Sequence, residues 1–415
     1  MQISNDTYTP WIIASDASAT TGLAADYLNA LKSAGLTADT TRFASRDALD
    51  NYVRLQLAQY KDHPAFYGVM LADEPSYHNA YCYSEIYKSI KRVMPECYVQ
   101  YNLLPMEADT AAIERYYTGV ANEKATSAQI EAAYRQYVTL FVDAMGTDYI
   151  QYDDYPFKSA TDGMWFWETT TPYVDTTSLR NIQLVAEIAK ERGLSVKVVT
   201  QSCVMKKGGS NGDVLIRQIT EDDARWLNNY LMGFGVKQIN YFTYWTKHSN
   251  SSSGEYFEDN GSFVNRDGAT TAVYDFMKTI MANNTAFAPT ISHFDYNASK
   301  VVGSNNGSQN NDHISWSSNL TADVSFRFVT GVTTSLEYTL VTELYDKDNY
   351  NYMYMVMNTI DPNEGGTQTV TVTFDGSITQ IYVYDQTGAR TAVTLTNNTY
   401  TVSLTAGQAV YLLPY

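Results

Sequence analysis

The chain has 415 residues, 44% of them hydrophobic and 18% charged, with a formal net charge of −17. That length accommodates two or three domains, or one large α/β barrel with a smaller companion, and the apolar fraction is enough for sizeable cores. Surface acidity of this size repels a phosphate backbone and argues against a nucleic-acid partner.

In chain order, "WIIASD" (Trp11 to Asp16) reads as a strand. Two stretches with helical spacing follow, Leu23 to Gly35 and Asp47 to Tyr60. "FYGVML" is the next strand and runs into Asp73 and Glu74. Glu85 to Pro95 is helical, Cys97 to Pro105 a strand, and Ser127 to Met145 a long helix. Asp148 to Phe157 is a strand with a polar end, Ser178 to Gly193 a helix, and "SVKVVTQS" a strand. Glu221 to Gly235 is a helix, Gln238 to Thr246 a strand, and Thr271 to Asn284 the last helix. Strands alternating with helices imply a parallel sheet.

No GxGxxG or Walker loop follows the first strand, so a nucleotide site has no support. Polar and aromatic residues follow several different strands, which favours the active face of a barrel over an open sheet. About six strands are evident rather than eight, so the barrel is expected to be incomplete or irregular at its N-terminal edge near Trp11. From Ile291 to Tyr415 the chain turns to short alternating runs rich in Thr, Val, Tyr, Asn and Ser, such as "TQTVTVTF". These imply a β-sandwich. The expected architecture is therefore a (β/α)8-type TIM barrel over 1–290 followed by an all-β sandwich over 291–415.

The three cysteines, Cys82, Cys97 and Cys203, form neither a disulfide framework nor a CxxC site. His63, His78 and His248 lack ligand spacing, so no metal or cofactor is expected. No apolar run reaches 18 residues, so no membrane span is expected, and "MQISNDTYTP" lacks the regions of a signal peptide.

Chemistry is sought at the strand ends, which converge on one bowl in a barrel. The candidates are Asp73 and Glu74, Asn102, Asp153 and Asp154 with Tyr155, Gln201, and Tyr244 with Trp245. Acids on different strands, with amides and aromatics around them, suit glycosidic bond cleavage. One carboxylic acid protonates the leaving oxygen, and a second acts as nucleophile or base.

"HPAFYGVMLADEPS", "YVQYNLLP", "YIQYDDYPF" and "GFGVKQINYFTYWT" together resemble bacterial glycoside hydrolase-like barrels related to the β-galactosidase superfamily (clan A). The resemblance runs from Asp62 to Trp245 and rests on DEPS, NLLP, D-x-YP and YFTYW strand-end motifs in order. It implies a carbohydrate substrate, a C-terminal β-sandwich and a bacterial enzyme; an extracellular or cell-surface setting is expected, which requires an export signal that this chain does not contain. Carried over residue by residue, Glu74 takes the place of the fourth-strand acid/base. Asp73 stands where the family has Asn, and Gln201 where it has the nucleophilic Glu of the seventh strand. Asp153 is then the second carboxylate, or Asp73 orients an acetamido group on a substrate that supplies its own nucleophile. Asp73, Asn102, Asp154, Tyr155, Gln201, Tyr244 and Trp245 are the candidate substrate-binding residues.

Each candidate has a bland alternative. Asp73 or Glu74 could cap the following helix or pair with an arginine, but the strand-end position favours an acid/base role for Glu74, with a carboxyl raised by burial and like charge. Asp154 is better read as a loop-stabilising acid. Tyr155 and Pro156 suit a turn, and Gln201 suits a sugar hydroxyl or an interior neighbour equally. Trp165 and Trp167 in "MWFWETT" are better read as covering a core edge than as a sugar platform, and "KKGGSNG" as a loop. The rival function is a non-catalytic carbohydrate-binding protein on a degenerate barrel. A structural surface protein would show no polar bowl at all.

Overall fold

The computed structural model describes residues 10–106, 127–158, 173–174, 176–207, 210, 213–248, 255–302, 324–335, 339–363, 365–385 and 387–415. Trp165, Trp167 and most of "KKGGSNG" lie outside them. The chain divides into two compact units, Met1–Asp153 and Asp154–Tyr415.

The first unit begins not with a strand but with a single parallel bridge between Trp11 and Asp39. Asp39 N–H donates to Pro10 O at 2.7 Å, and Ile12 N–H to Asp39 O at 3.0 Å. Ala14–Asp16 then turns as a 3-10 helix, which is why "WIIASD" does not extend as a strand. Helices α1 (Gly22–Ser33) and α2 (Arg46–Leu57) follow. The Ser45 side chain caps α2 by accepting from Ala48 N–H. Strand β1 (Gly68–Asp73), helix α3 (Ala80–Val93) and strand β2 (Tyr98–Asn102) come next. Helix α3 starts five residues before the sequence reading because a 3-10 turn at Tyr77–Asn79 runs straight into it. Helix α4 (Ser127–Met145) and strand β3 (Tyr149–Asp154) complete the series.

Strands β1 and β2 pair in parallel from Gly68↔Tyr98 to Asp73↔Asn102, with an irregularity between Met70 and Ala72. A Cβ at position 68 would lie 2.0 Å from Tyr98 O, so only glycine lets the strands start this close. The ladder continues through a parallel bridge between Leu103 and Tyr152. Buried Trp11, Tyr27, Phe43 and Tyr81 pack the N-terminal part, with Trp11 edge-on to Phe43 at 4.9 Å.

In the second unit, β4 (Phe157–Lys158), β5 (Tyr173–Val174), helix α5 (Thr176–Arg192), β6 (Ser195–Gln201), β7 (Met205–Lys207) and β8 (Asp213–Ile216) precede helix α6 (Glu221–Gly233). Thr220 and Asp223 form a capping box that sets the start of α6. Strand β9 (Val236–Phe242) pairs in parallel with β6, from Val196↔Val236 to Gln201↔Phe242. Strand β10 (Glu255–Phe257) joins β7, β8, β4 and β5 in a small antiparallel sheet. Helix α7 (Ala272–Ile291) runs seven residues past the sequence reading. Among the described residues the parallel strands do not close into an eight-stranded ring. At the start of the described residues Trp11 makes a single bridge to Asp39 and no strand.

The remaining strands are β11 (Asp295–Val302), β12 (Val329–Thr334), β13 (Thr339–Asp346), β14 (Asn351–Asn358), β15 (Thr367–Phe374), β16 (Gln380–Tyr384), β17 (Arg390–Thr394), β18 (Thr399–Thr405) and β19 (Ala409–Pro414). They form a six-stranded sheet, β11-β13-β14-β19-β16-β17, and a three-stranded sheet, β12-β15-β18. Alternation decides their faces. In β15, Gln368, Val370, Val372 and Phe374 are buried while the threonines point outward. Val370, Val372 and Leu404 of the small sheet meet Tyr354, Val356, Ile381 and Leu412 of the large one in one cluster. Helix α6 is fastened to this region: Trp226 Nε1–H donates to Thr359 O at 3.3 Å and Asn229 Nδ2–H to Gly407 O at 3.0 Å.

Candidate active site

Three adjacent parallel strand ends in the first unit bring four of the expected residues together. Asp73 and Asn102 are register partners, so their side chains share a face, and Asn102 Nδ2–H donates to Asp73 Oδ1 at 3.2 Å. Leu103 N–H donates to Gln151 O at 2.9 Å, and Asp153 N–H to Leu103 O at 3.3 Å. With Leu103 beside Tyr152, the period of two puts Asn102, Gln151 and Asp153 on the same face as Asp73. The result is a polar row across β1, β2 and β3 at their C-terminal ends.

Glu74 stands apart from the strand pattern. It has φ +47°, in the left-handed region that a non-glycine residue enters at a cost. Its N–H donates to Asn102 O at 2.8 Å, so the last rung of the ladder holds it there. Asp73 and Glu74 therefore do not simply alternate across the sheet, because β1 ends at Asp73 and the backbone turns at the next residue. Both acids are exposed, whereas Asn102 and Asp153 are each 3% exposed. The burial expected to raise the Glu74 carboxyl is thus not seen in this structure, and Asp153 is the deeply placed acid.

Two residues of this site were not singled out from the sequence. Gln151 is fully buried, and neither its amide oxygen nor its nitrogen has a hydrogen-bond partner among the described residues; nor does Asn102 Oδ1. Buried amides without partners are costly unless water or a ligand group serves them. The available signal was the i, i+2 spacing from Gln151 to Asp153. The other is Tyr137 on α4, whose hydroxyl donates to Pro75 O at 2.7 Å. Burial pushes its phenol above the ordinary range; the Leu104 N–H opposes the rise, and the Asp153 and Glu74 charges add to it. Nothing in a helical repeat of apolar positions marks such a residue. Near the same segment, burial lowers the His78 imidazole below its ordinary value.

The second unit holds the other candidates. Asp154 is buried and accepts from Ser178 Oγ at 2.7 Å, while its carbonyl accepts from Thr200 Oγ1 at 2.9 Å. These bonds tie the end of β3 to α5 and β6. Gln201 Oε1 accepts from Phe157 N–H at 2.8 Å, and its Nε2 donates to Phe157 O and Arg217 O, both at 3.3 Å. The fully buried amide is thus bonded to backbone groups of Phe157 and Arg217. Tyr155 is half-buried with its ring 6.1 Å from that of Phe242. Tyr244 and Trp245 are 62% and 48% exposed beyond β9. Tyr244 stacks on Phe263 at 5.8 Å, and Trp245 Nε1–H donates to Asn265 O at 2.9 Å, so both rings are held with faces open.

Among the described residues no group of three or more His, Cys, Asp and Glu side chains has a metal-holding arrangement. No described helix is long and apolar enough to cross a membrane.

No family model matches the chain, and no curated protein does. Among solved structures it is similar to one described as a glycoside hydrolase, at 12% identity and TM-score 0.46, over 89% of this chain and 69% of that one. A glycoside hydrolase of family 5 from Bacteroides vulgatus is similar at 10% identity and TM-score 0.45, over 89% of this chain and 66% of that one. An Anoxybacillus α-amylase is similar at 8% identity and TM-score 0.41, over 91% and 64%. The chain thus spans about two thirds of each, and likenesses of this size leave the chemistry to the residues themselves.

Proposed function

We propose that the chain is a glycoside hydrolase acting on O-glycosidic bonds of oligo- or polysaccharides, with Glu74 as general acid/base and Asp153 as the second carboxylate. The observation that carries this reading is the backbone of Glu74. A glutamate held at φ +47° beyond the end of β1, beside the Asp73–Asn102–Asp153 row, is strain that the fold maintains at one polar strand end. Strain of this kind concentrates at functional sites. The exposed Glu74 carboxyl is able to meet a glycosidic oxygen, and the buried Asp153 of the neighbouring row is the group to act as nucleophile or activate water. Asp73 and Asn102 offer hydrogen bonds to sugar hydroxyls; separately, in the second unit, Tyr244 and Trp245 carry exposed ring surface of the kind that stacks on sugars. In this reading 1–290 is a barrel-type catalytic region with an irregular N-terminal edge, and 291–415 is a β-sandwich whose two sheets share one apolar cluster. An extracellular or cell-surface setting in a bacterium belongs to the same proposal.

The test is a panel of nitrophenyl glycosides with the wild-type protein and Glu74→Gln, together with direct binding of the same sugars. Turnover by the wild type, lowered at least ~10²-fold in Glu74→Gln with binding retained, is expected for a lost general acid. One observation favours the rival of a non-catalytic carbohydrate-binding protein: Gln201 stands at the β6 end in place of a carboxylate and is committed to backbone groups. Sugar binding without turnover on any glycoside would decide for it.

A further inference from the structure

We propose that Tyr137 is the positioning residue of this site, a hydroxyl on helix α4 that fixes the Glu74 strand end against the Asn102 strand end. The β1–β2 ladder closes with Glu74 N–H on Asn102 O. Beyond that rung the two chains are no longer paired to each other, yet the side chains that matter sit right there. Tyr137 supplies the next connection. Its hydroxyl donates to Pro75 O at 2.7 Å and accepts from Leu104 N–H at 3.2 Å. Pro75 is the residue after Glu74, and Leu104 lies two after Asn102. One oxygen therefore replaces a rung of sheet across the loops that carry the acid and the amide.

The clamp is stiff. Tyr137 is fully buried, its ring edge-on to Phe141 at 5.2 Å and stacked near Tyr134 at 6.0 Å. Tyr134 adds a hydrogen bond from its own hydroxyl to Leu104 O at 3.0 Å. The charges of Glu74 and Asp153 both add to the rise of the Tyr137 phenol above the ordinary range, after burial, the main cause. It stays protonated at any working pH and keeps its donor on Pro75 O. A displacement of ~1 Å between reacting groups can cost ~10²-fold in rate, so the value of such a tie is geometric. This inference rests on the acid/base reading of Glu74 and Asp153 for its kinetic consequence, but not for its structural one.

The experiment uses the full chain with Tyr137→Phe, which keeps the ring, and Tyr134→Phe as a control that removes one bond from the same helix to the same loop. Two readouts are taken: kcat and KM on a cleaved nitrophenyl glycoside, and amide hydrogen exchange resolved by residue. Tyr137→Phe is expected to lower kcat by ~10-fold or more with KM within about threefold, because geometry rather than affinity is lost. The Leu104 and Glu74 amides are expected to exchange about tenfold faster, the size of one net hydrogen bond, while Val99 and Tyr101 are unchanged. Tyr134→Phe should leave kcat within about twofold, since Tyr137 still spans both loops. Unaltered kcat, or faster exchange spread over the whole β1–β2 ladder, would overturn the positioning role in favour of plain packing. If the wild type cleaves no glycoside, the hydrolase reading fails by itself, and the exchange pattern alone decides the clamp: unmoved Leu104 and Glu74 amides refute it.

Discussion

The left-handed backbone at Glu74 has a thermodynamic signature that can be measured apart from any activity. Glu74→Gly removes the conflict between Cβ and the carbonyl at φ +47°, which for an ordinary L-residue costs roughly 1–2 kcal/mol. Glycine returns part of that through the greater freedom of the unfolded chain, roughly 0.5–1 kcal/mol. The backbone bond from residue 74 N–H to Asn102 O is kept in both cases. Glu74→Ala is the proper reference, because alanine loses the same carboxylate contacts while retaining the strain. The net expectation is that Glu74→Gly is more stable than Glu74→Ala by about 0.5–1 kcal/mol, the difference of those two effects. Urea unfolding at equal m measures it, with calorimetry to show which transition moves. Neither variant should cleave a glycoside. The reasoning fails if Glu74→Ala matches or exceeds Glu74→Gly in stability, for then the left-handed conformation stores nothing and cannot be strain retained for function.

The adjacent acids of β3 should separate cleanly. Asp154→Asn loses the ionised acceptor of Ser178 Oγ and should cost about 1–3 kcal/mol of stability, as for a hydrogen bond to a charged group, with little effect on the chemical step. Asp153→Asn should lower turnover at least ~10²-fold; equal kinetic losses from the two would refute the assignment. The third expectation concerns acid. Arg92, through Nε at 2.8 Å and Nη2 at 2.7 Å, and Ser89 at 2.6 Å hold the Asp50 carboxyl below its usual range. A folded pKa below the unfolded value of ~3.9 means the native state binds fewer protons, so stability is full above that value and declines as pH falls toward the folded one. Asp50→Asn should shallow this acid limb, and an unchanged profile would show that the pair is too solvated to matter.

The legibility of the chain in its sequence follows the physics of each element. Ser127–Met145 is readable to the residue because a long apolar stripe of period 3.6 has few alternative uses. The strand ends at Asp73, Asn102 and Asp153 were readable because polar residues directly after apolar runs mark where a parallel strand ends. The Trp11 stretch was not, since apolar side chains alone do not say whether a neighbour continues the ladder beyond Asp39. Gln201 could be read two ways because an amide at a strand end is equally apt for a ligand and for a backbone loop, and only the position of Phe157 decides. Tyr137 was invisible for a different reason. Its role depends on a contact 62 residues away, and its place in the sequence is that of any core tyrosine.

Two adjacent carboxylates after a buried strand are costly to desolvate, and the chain turns at the second of them. Asp73 stays in register and accepts a hydrogen bond from the Asn102 amide at the exposed rim. Glu74 leaves the register through a left-handed residue, so its side chain need not take the opposite face of the sheet that strict alternation would impose. On β3 the same problem has the other solution. Asp153 and Asp154 keep alternating, and each faces a different environment, the polar row for one and the Ser178 hydroxyl for the other. A doublet of acids is thus used twice, once with a break in the backbone and once without. In both places only one member, Asp73 or Asp153, is directed to the row formed with Asn102, while Glu74 is left exposed at a left-handed residue and Asp154 is tied to the Ser178 hydroxyl.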